Sequence, residues 1–355
     1  MTRPTGEQRE RWGIVPWALG IIVAALVLVL LIVGRVFLVP LVIALLLFSL
    51  ASAAIDRLRR LNIGGRAVPN WLTSLLALLL LGLGLAALFA VLSLQINIAL
   101  ASLPVFIEQS QTVIARLFGL LSDDLASALI EAFRDINLND YVRLAAGSAG
   151  SLLVTIVLIL LYAGFFLAER PWIEGKIALL FPEPGRRARI MAIAGSMRHN
   201  IHRFLVLKTL ISGVTALVVW LLALAFGLNF AASIALLTFL LNFIPNIGSI
   251  LATALPVLVA LVQYDSLAMG LAVLGTIGTV QFVLGNILDP MVTGNGLQMS
   301  SLAIVISLTF WGAIWGIVGM FLAVPMMVMV LIVCTHVPPL RPVAVLLSKS
   351  GELPE

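Results

Sequence analysis

Between residues 209 and 340 the chain carries no lysine and no arginine, and its only acids are Asp265 and Asp289. A run of this length cannot present a charged face to water, so lipid is the solvent that its compact fold must meet. The whole sequence agrees: 62% of its 355 residues are hydrophobic and 10% are charged. Soluble domains carry about 25% charged residues. These values exclude a soluble enzyme and a disordered chain. In hydrocarbon the backbone must satisfy its own polar groups. The fold class expected is therefore an all-α polytopic membrane protein.

Uncharged runs define the spans. They cover residues 13–34, 36–55, 67–107, 144–168, 209–264, 266–288 and 290–340. About 20 helical residues cross a hydrocarbon core of about 30 Å. The first, second, fourth and sixth runs each fit one helix. The third is longer than one span and is expected to leave the membrane near Gln95–Asn97. The fifth and seventh are each long enough for two segments, and roughly eight membrane segments are expected. The first run is too long for a cleavable signal core and leads straight into the second.

Basic residues orient the chain. Arg3, Arg9 and Arg11 form one cluster, Arg57, Arg59, Arg60 and Arg66 a second, and the eight basic residues from Arg170 to Lys208 a third. Two spans separate each cluster from the next, so all three fall on one side, which the positive-inside rule makes cytoplasmic. The net charge of +5 reads as loop charge of this kind and not as a nucleic-acid footprint. The expected location is the bacterial inner membrane, multi-pass, with both termini cytoplasmic.

The resulting domains are an N-terminal tail with three membrane helices (1–94), an extracytoplasmic amphipathic arm (95–148) and a membrane helix (149–168). A basic cytoplasmic helical hairpin (169–208), a charge-poor transport core (209–340) and a cytoplasmic tail (341–355) follow. In the arm, Leu103, Phe106, Ile107, Val113, Ile114, Leu117 and Leu121 share one helical face, and Leu125, Leu129, Ala132, Phe133 and Ile136 another. It either packs on its own membrane domain or makes a homo-oligomer contact. Arg186, Arg187 and Arg189 suit anionic lipid headgroups. Membrane lipids, a small-molecule substrate and further copies of the chain are thus the expected partners.

The charge-free half is rich in helix breakers. Pro245 removes an amide donor, Gly248 permits a tight bend, and Asn242 and Asn246 offer amides beside the break. The apolar pieces on either side are each about 14 residues, too short to span comfortably, which favours a re-entrant hairpin. A second interrupted stretch carries Gly312, Gly316, Gly319 and Pro325. Gly248, Ala252 and Pro256 find an echo in Gly319, Ala323 and Pro325. Paired interruptions are the best sequence pointer to a transporter site, although glycine and proline also let helices pack closely. The substrate-binding candidates are Asn242, Pro245, Asn246, Gly248, Gln281, Asn286, Gly316 and Gly319. Asp289 is the candidate for ion or proton coupling, or else a solvated cap.

Enzyme signatures such as HExxH, a Walker-type glycine loop followed by lysine, and GxSxG are absent from the sequence. Cys334 reads as an apolar helix residue. His199 and His202 lack an evident third ligand, so no metal site is expected.

Four segments carry a family resemblance: RFLVLKTLISGVTAL (203–217), FLLNFIPNIGS (239–249), GNILDP (285–290) and FWGAIWGIVGMFLAVP (310–325). In order and spacing, over residues 14–335, the chain resembles the autoinducer-2 exporter (AI-2E) family. The resemblance implies an inner-membrane protein that moves a small polar organic molecule out of the cell without a soluble cofactor. The family often has Glu before the proline and basic residues after it. Here Asp289 stands there, and positions 291–296 hold no basic residue. Three functions follow as expectations: export of an autoinducer-2-like metabolite, cation–proton antiport through Asp289, or a non-transporting membrane scaffold.

Overall fold

The computed structural model describes residues 6–59, 69–119, 138–289, 291, 299–349 and 351, and every structural statement below concerns these. Their architecture is helical throughout. Helix α1 (Gly6–Val33) meets α2 (Arg35–Arg59) at the buried Gly34. A side chain there would crowd the Leu30 carbonyl and the Phe37 ring.

Helix α3 (Asn70–Gly119) has 50 residues, about 75 Å at the helical rise. That is more than twice a hydrocarbon core. The helix runs unbroken through Gln95–Asn97, where the sequence suggests an exit from the membrane. Gln95 is a good helix former, and its Oε1 accepts a 2.6 Å hydrogen bond from Ser233 Oγ. The first amphipathic face of the expected arm, from Leu103 to Leu117, thus lies on the far end of α3, and its last member, Leu121, falls outside the described residues. The second, at 125–136, lies outside the described residues.

Helix α4 (Leu138–Glu169) leads through a single 3₁₀ turn into α5 (Ile173–Leu180). Helix α6 (Pro184–Ala225) begins with proline in its first turn, where a missing N–H costs nothing. It then runs 42 residues, continuous through the border at 208–209 between basic and uncharged sequence.

Beyond α6 come α7 (Ala231–Leu241), α8 (Ile247–Tyr264), α9 (Leu267–Phe282), α10 (Ser301–His336) and the short α11 (Arg341–Leu347). Ser266 and Ser300 cap α9 and α10 by accepting the Met269 and Ala303 amides. Helix α9 ends in a π-helical turn, Val283–Leu288.

Seven of these helices are long and apolar enough to cross a membrane. The stretch Ala18–Val33 is a shorter apolar segment. Much of the surface is aliphatic: Leu26, Val29, Leu79, Leu83, Val154 and Leu221 are all exposed. Water would oppose such a surface and lipid accepts it, so the chain is a multi-pass, all-α membrane protein.

Two helical hairpins interrupt the bundle. In the first, α7 ends at Leu241, the chain turns through Phe243–Asn246, and α8 runs back beside it. Gly248 lies so close to α7 that a Cβ would overlap the Leu241 carbonyl. Asn246 takes a positive φ of 62° at the turn. The base is tied by Tyr264 Oη donating to the Phe226 carbonyl (2.6 Å) and Gln263 Nε2 donating to the Gly227 carbonyl (2.7 Å).

The second hairpin is α10 itself, which breaks at Gly316 (φ 64°, ψ −144°). Beyond the break the chain folds back: Gly319 would place a Cβ on the Trp311 carbonyl, and Ser307 Oγ donates to the Ala323 carbonyl across 2.8 Å. The seventh run therefore does hold two segments, as expected. The fifth holds three pieces: the end of α6 and both arms of the first hairpin.

The hairpins enter from opposite ends. The base of the first follows the C-terminal end of α6. The base of the second closes through the Ser300 amide donating to the Leu347 carbonyl, and packs in one core with Phe204 in the N-terminal half of α6. Its Trp315 donates to the Leu31 carbonyl near the end of α1. The two meet in the middle, where Phe243 stacks on Phe321 at 4.6 Å. Ile244 belongs to the same buried core as Trp311, Trp315 and Leu322.

Candidate functional site

A cavity of about 250 Å³ opens at the turn of the first hairpin. Its walls are Lys208 and Ile211 of α6, Asn242, Ile244, Pro245, Asn246, Ser249 and Ile250 around the turn, and Gly285, Asn286 and Asp289 after α9. Local rules put these groups here. Pro245 has no amide to donate, so α7 cannot continue through it. The break frees backbone groups, and Asn242 and Asn246 stand on either side. The π-helical turn at 283–288 swings Gly285 and Asn286 toward the gap, and such turns recur at functional sites.

The cavity's charges are paired. Lys208 Nζ donates to Asp289 Oδ2 at 2.5 Å, with the lysine side chain 10% exposed and the aspartate 22%. Two opposite charges this close cancel most of the field that either would create alone. Around them the lining is neutral and hydrogen-bonding: the amides of Asn242, Asn246 and Asn286 and the hydroxyl of Ser249. The volume lies just below the range of about 300–1,000 Å³ typical of drug-sized pockets, which suits a compact polar molecule.

Of the candidates from sequence, Asn242, Pro245, Asn246, Asn286 and Asp289 come together on this cavity. Gly248 stands behind the turn as the contact that lets α8 lie against α7. In the second hairpin Gly319 does the same work and Gly316 supplies the positive φ of the break, and both lie away from the cavity. Gln281 is buried one turn from Gly285, with both side-chain polar atoms lacking a partner among the described residues.

Sequence reasoning missed Lys208, which it placed at the end of a basic cytoplasmic segment. A usable signal existed. Lys208 opens one uncharged run and Asp289 closes another, so span counting sets both at the same membrane level. Among the described residues there is no cluster of potential metal ligands.

Comparison with known proteins agrees with this picture. The AI-2 transport protein TqsA of Escherichia coli is 39% identical over 194 residues, 55% of this chain and 55% of that protein. The match thus spans about half of that relative. A Haemophilus influenzae protein provisionally named for transport is 29% identical over 296 residues, 81% of this chain and 83% of its own length. A Mycobacterium tuberculosis protein of similarly provisional name is 29% identical over 335 residues, 87% and 86% of the two chains. The model of the AI-2E family transporter matches residues 19–338, nearly the whole molecule, and the chain belongs to that transporter family.

Proposed function

We propose that this membrane transporter exports a small hydroxylated metabolite of the autoinducer-2 type across the bacterial inner membrane, with both termini on the cytoplasmic side. The observation that carries this reading is the cavity at a broken-helix turn, lined by three carboxamides and a self-neutralised Lys208–Asp289 pair. Broken helices at membrane depth are how transporters build sites from neutral groups. A polyhydroxylated guest needs hydrogen-bond partners and no countercharge, and the lining offers these. The name of the E. coli relative, an AI-2 transport protein, points to the same cargo.

The test compares autoinducer-2 in the medium of a producing strain lacking its own exporters, with and without this protein. Export should require Asn242: Asn242→Ala should reduce it about tenfold at equal membrane abundance. Normal export by that variant would remove the cavity from the pathway.

A second reading, cation–proton antiport, draws on Asp289, a carboxylate on the cavity wall. Its pairing with Lys208 weighs against it, because a cation must first displace an ammonium held at 2.5 Å. Sodium-dependent proton flux in vesicles, abolished by Asp289→Asn, would establish antiport. Its absence in the unaltered protein would remove it.

A further inference from the structure

Immediately beyond the cavity lies a layer of buried polar side chains that the lining does not include. Ser212 is one helical turn from Lys208 on α6, Thr238 one turn from Asn242 on α7, and Gln281 one turn from Gly285 on α9. Each step leads away from the ion pair, toward the base of the first hairpin. One turn further along α7 and α9, and two turns further along α6, Ile234, Ile277 and Val219 belong to a single apolar core. Ser212, Thr238 and Gln281 thus stand on three helices that share this core, between it and the cavity.

These residues are sealed: Ser212, Thr215 and Thr238 are fully buried and Gln281 is 2% exposed. Thr215 satisfies its hydroxyl on the Ile211 carbonyl. Ser212 Oγ, Thr238 Oγ1, Gln281 Oε1 and Gln281 Nε2 have no partner among the described residues. Four such atoms in one layer are unusual, because buried polar groups are nearly always paired. An apolar layer here would pack at lower cost. The atoms also define their guest. A cation would leave the Gln281 Nε2 donor without an acceptor, and an anion would meet its Oε1 lone pairs. A hydroxyl both donates and accepts, and so can close all four.

Gly285, on the cavity wall one turn from Gln281, brings no side chain to the boundary between cavity and layer. Even a Cβ there would come within 3.3 Å of Ser249 Oγ. From these features we infer that the Ser212–Thr238–Gln281 layer is an inner hydroxyl-binding subsite. It receives one end of a polyhydroxylated cargo whose other end lies among Asn242, Asn246 and Asn286. Gln281 is its specificity-determining residue, using both edges of its amide on neighbouring hydroxyls. The inference rests on the cavity being the cargo site, but not on the cargo being autoinducer-2.

The experiment uses the full chain in lipid nanodiscs with three probes: autoinducer-2, ribitol as a five-carbon polyol, and 1-pentanol as a hydroxyl-poor control. Binding is read by calorimetry and folding by thermal unfolding. Gln281→Leu and Thr238→Val keep side-chain size and remove the orphan atoms, so their melting temperatures should equal or exceed that of the parent. Each should weaken autoinducer-2 or ribitol by about tenfold while leaving any 1-pentanol binding unchanged. Should ribitol show this pattern and autoinducer-2 bind nothing, the subsite stands and the named cargo falls. If both variants bind the polyols like the parent while Asn242→Ala does not, the layer holds only water and the inference is overturned with the cavity intact. Failure of all three probes to bind the parent protein would overturn it as well.

Discussion

The two hairpins share one backbone device and differ in what they do with it. Each folds back where a glycine in the returning arm presses on a carbonyl of the outgoing arm, Gly248 on Leu241 and Gly319 on Trp311. Each relieves the turn with a positive φ, at Asn246 in the first and Gly316 in the second. The first places Asn242, Pro245 and Asn246 at its turn and opens a polar cavity. The second buries Trp311, Ile314 and Trp315 there and knits into α1 and α2. A single way of reversing a helix within the membrane thus serves a chemical end in one place and a structural end in the other. The backbone supplies the depth, and the side chains at the turn choose the use.

The largest effect should come from removing the shared device. Gly248→Ala and Gly319→Ala each drive a methyl group into a main-chain carbonyl that has no slack. Each should cost at least about 3 kcal/mol, in the range of severe overpacking. Thermal unfolding in detergent and protease resistance of the membrane fraction would show it. If Gly319→Ala folds normally while Gly248→Ala does not, the second hairpin is held by its aromatic core and the likeness of the two is superficial.

Next comes the charge pair, which only the first hairpin has beside it. Lys208→Met takes from Asp289 the ammonium that holds it at 2.5 Å. Breaking a buried pair from one side costs about 3–5 kcal/mol. With Asp289 22% exposed toward the cavity, water recovers part of that, and about 2 kcal/mol is the expected loss. The double change Lys208→Met with Asp289→Asn should recover most of the stability and none of the export. A melting temperature for the double variant as low as for the single one would show that the lysine acts through something other than its partner.

The contrast also explains what could be read from sequence. The breaks were legible, because proline and glycine in an uncharged run have a direct meaning in a membrane: a helix stops where a donor is missing. Spans and fold class were legible for the same reason. Depth and partners were not. Nothing in the local sequence says that Gly248 faces a carbonyl while Asn242 faces a cavity, since both lie within seven residues of one turn and only the direction of each side chain separates them. Lys208 was hidden because its partner is 81 positions away and its neighbours look like a cytoplasmic basic segment. Gln95 shows the same limit: the sequence marks it as a polar residue in a leucine-rich run, but not that its amide is spent on Ser233, 138 positions away.

A smaller effect separates the turns themselves. Gly316 has φ 64° and ψ −144°, a region that residues with a Cβ rarely enter. Gly316→Ala should cost about 1–3 kcal/mol, with nothing within 4 Å of the new methyl to add to it. Asn246 already pays part of such a penalty, so Asn246→Gly should be neutral or slightly stabilising at the turn while removing an amide from the cavity. Opposite signs for these two in thermal unfolding would confirm that the second turn is chosen for conformation and the first for chemistry.

The smallest change tests the structural half of the comparison most directly. Trp315 Nε1 donates to the Leu31 carbonyl at 3.0 Å, joining the second turn to the first membrane helix. Trp315→Phe keeps an aromatic ring beside Trp311, whose centroid lies 4.7 Å away, and removes only the donor and part of the ring. The loss should be about 1 kcal/mol, the net worth of one hydrogen bond. Export should be unchanged when normalised to folded protein, because no cavity residue touches this bond. A variant that keeps its melting temperature but loses export would mean that the second turn moves during transport and that its anchor to α1 is part of the cycle. The division between a chemical hairpin and a structural one would then be a property of the resting state alone.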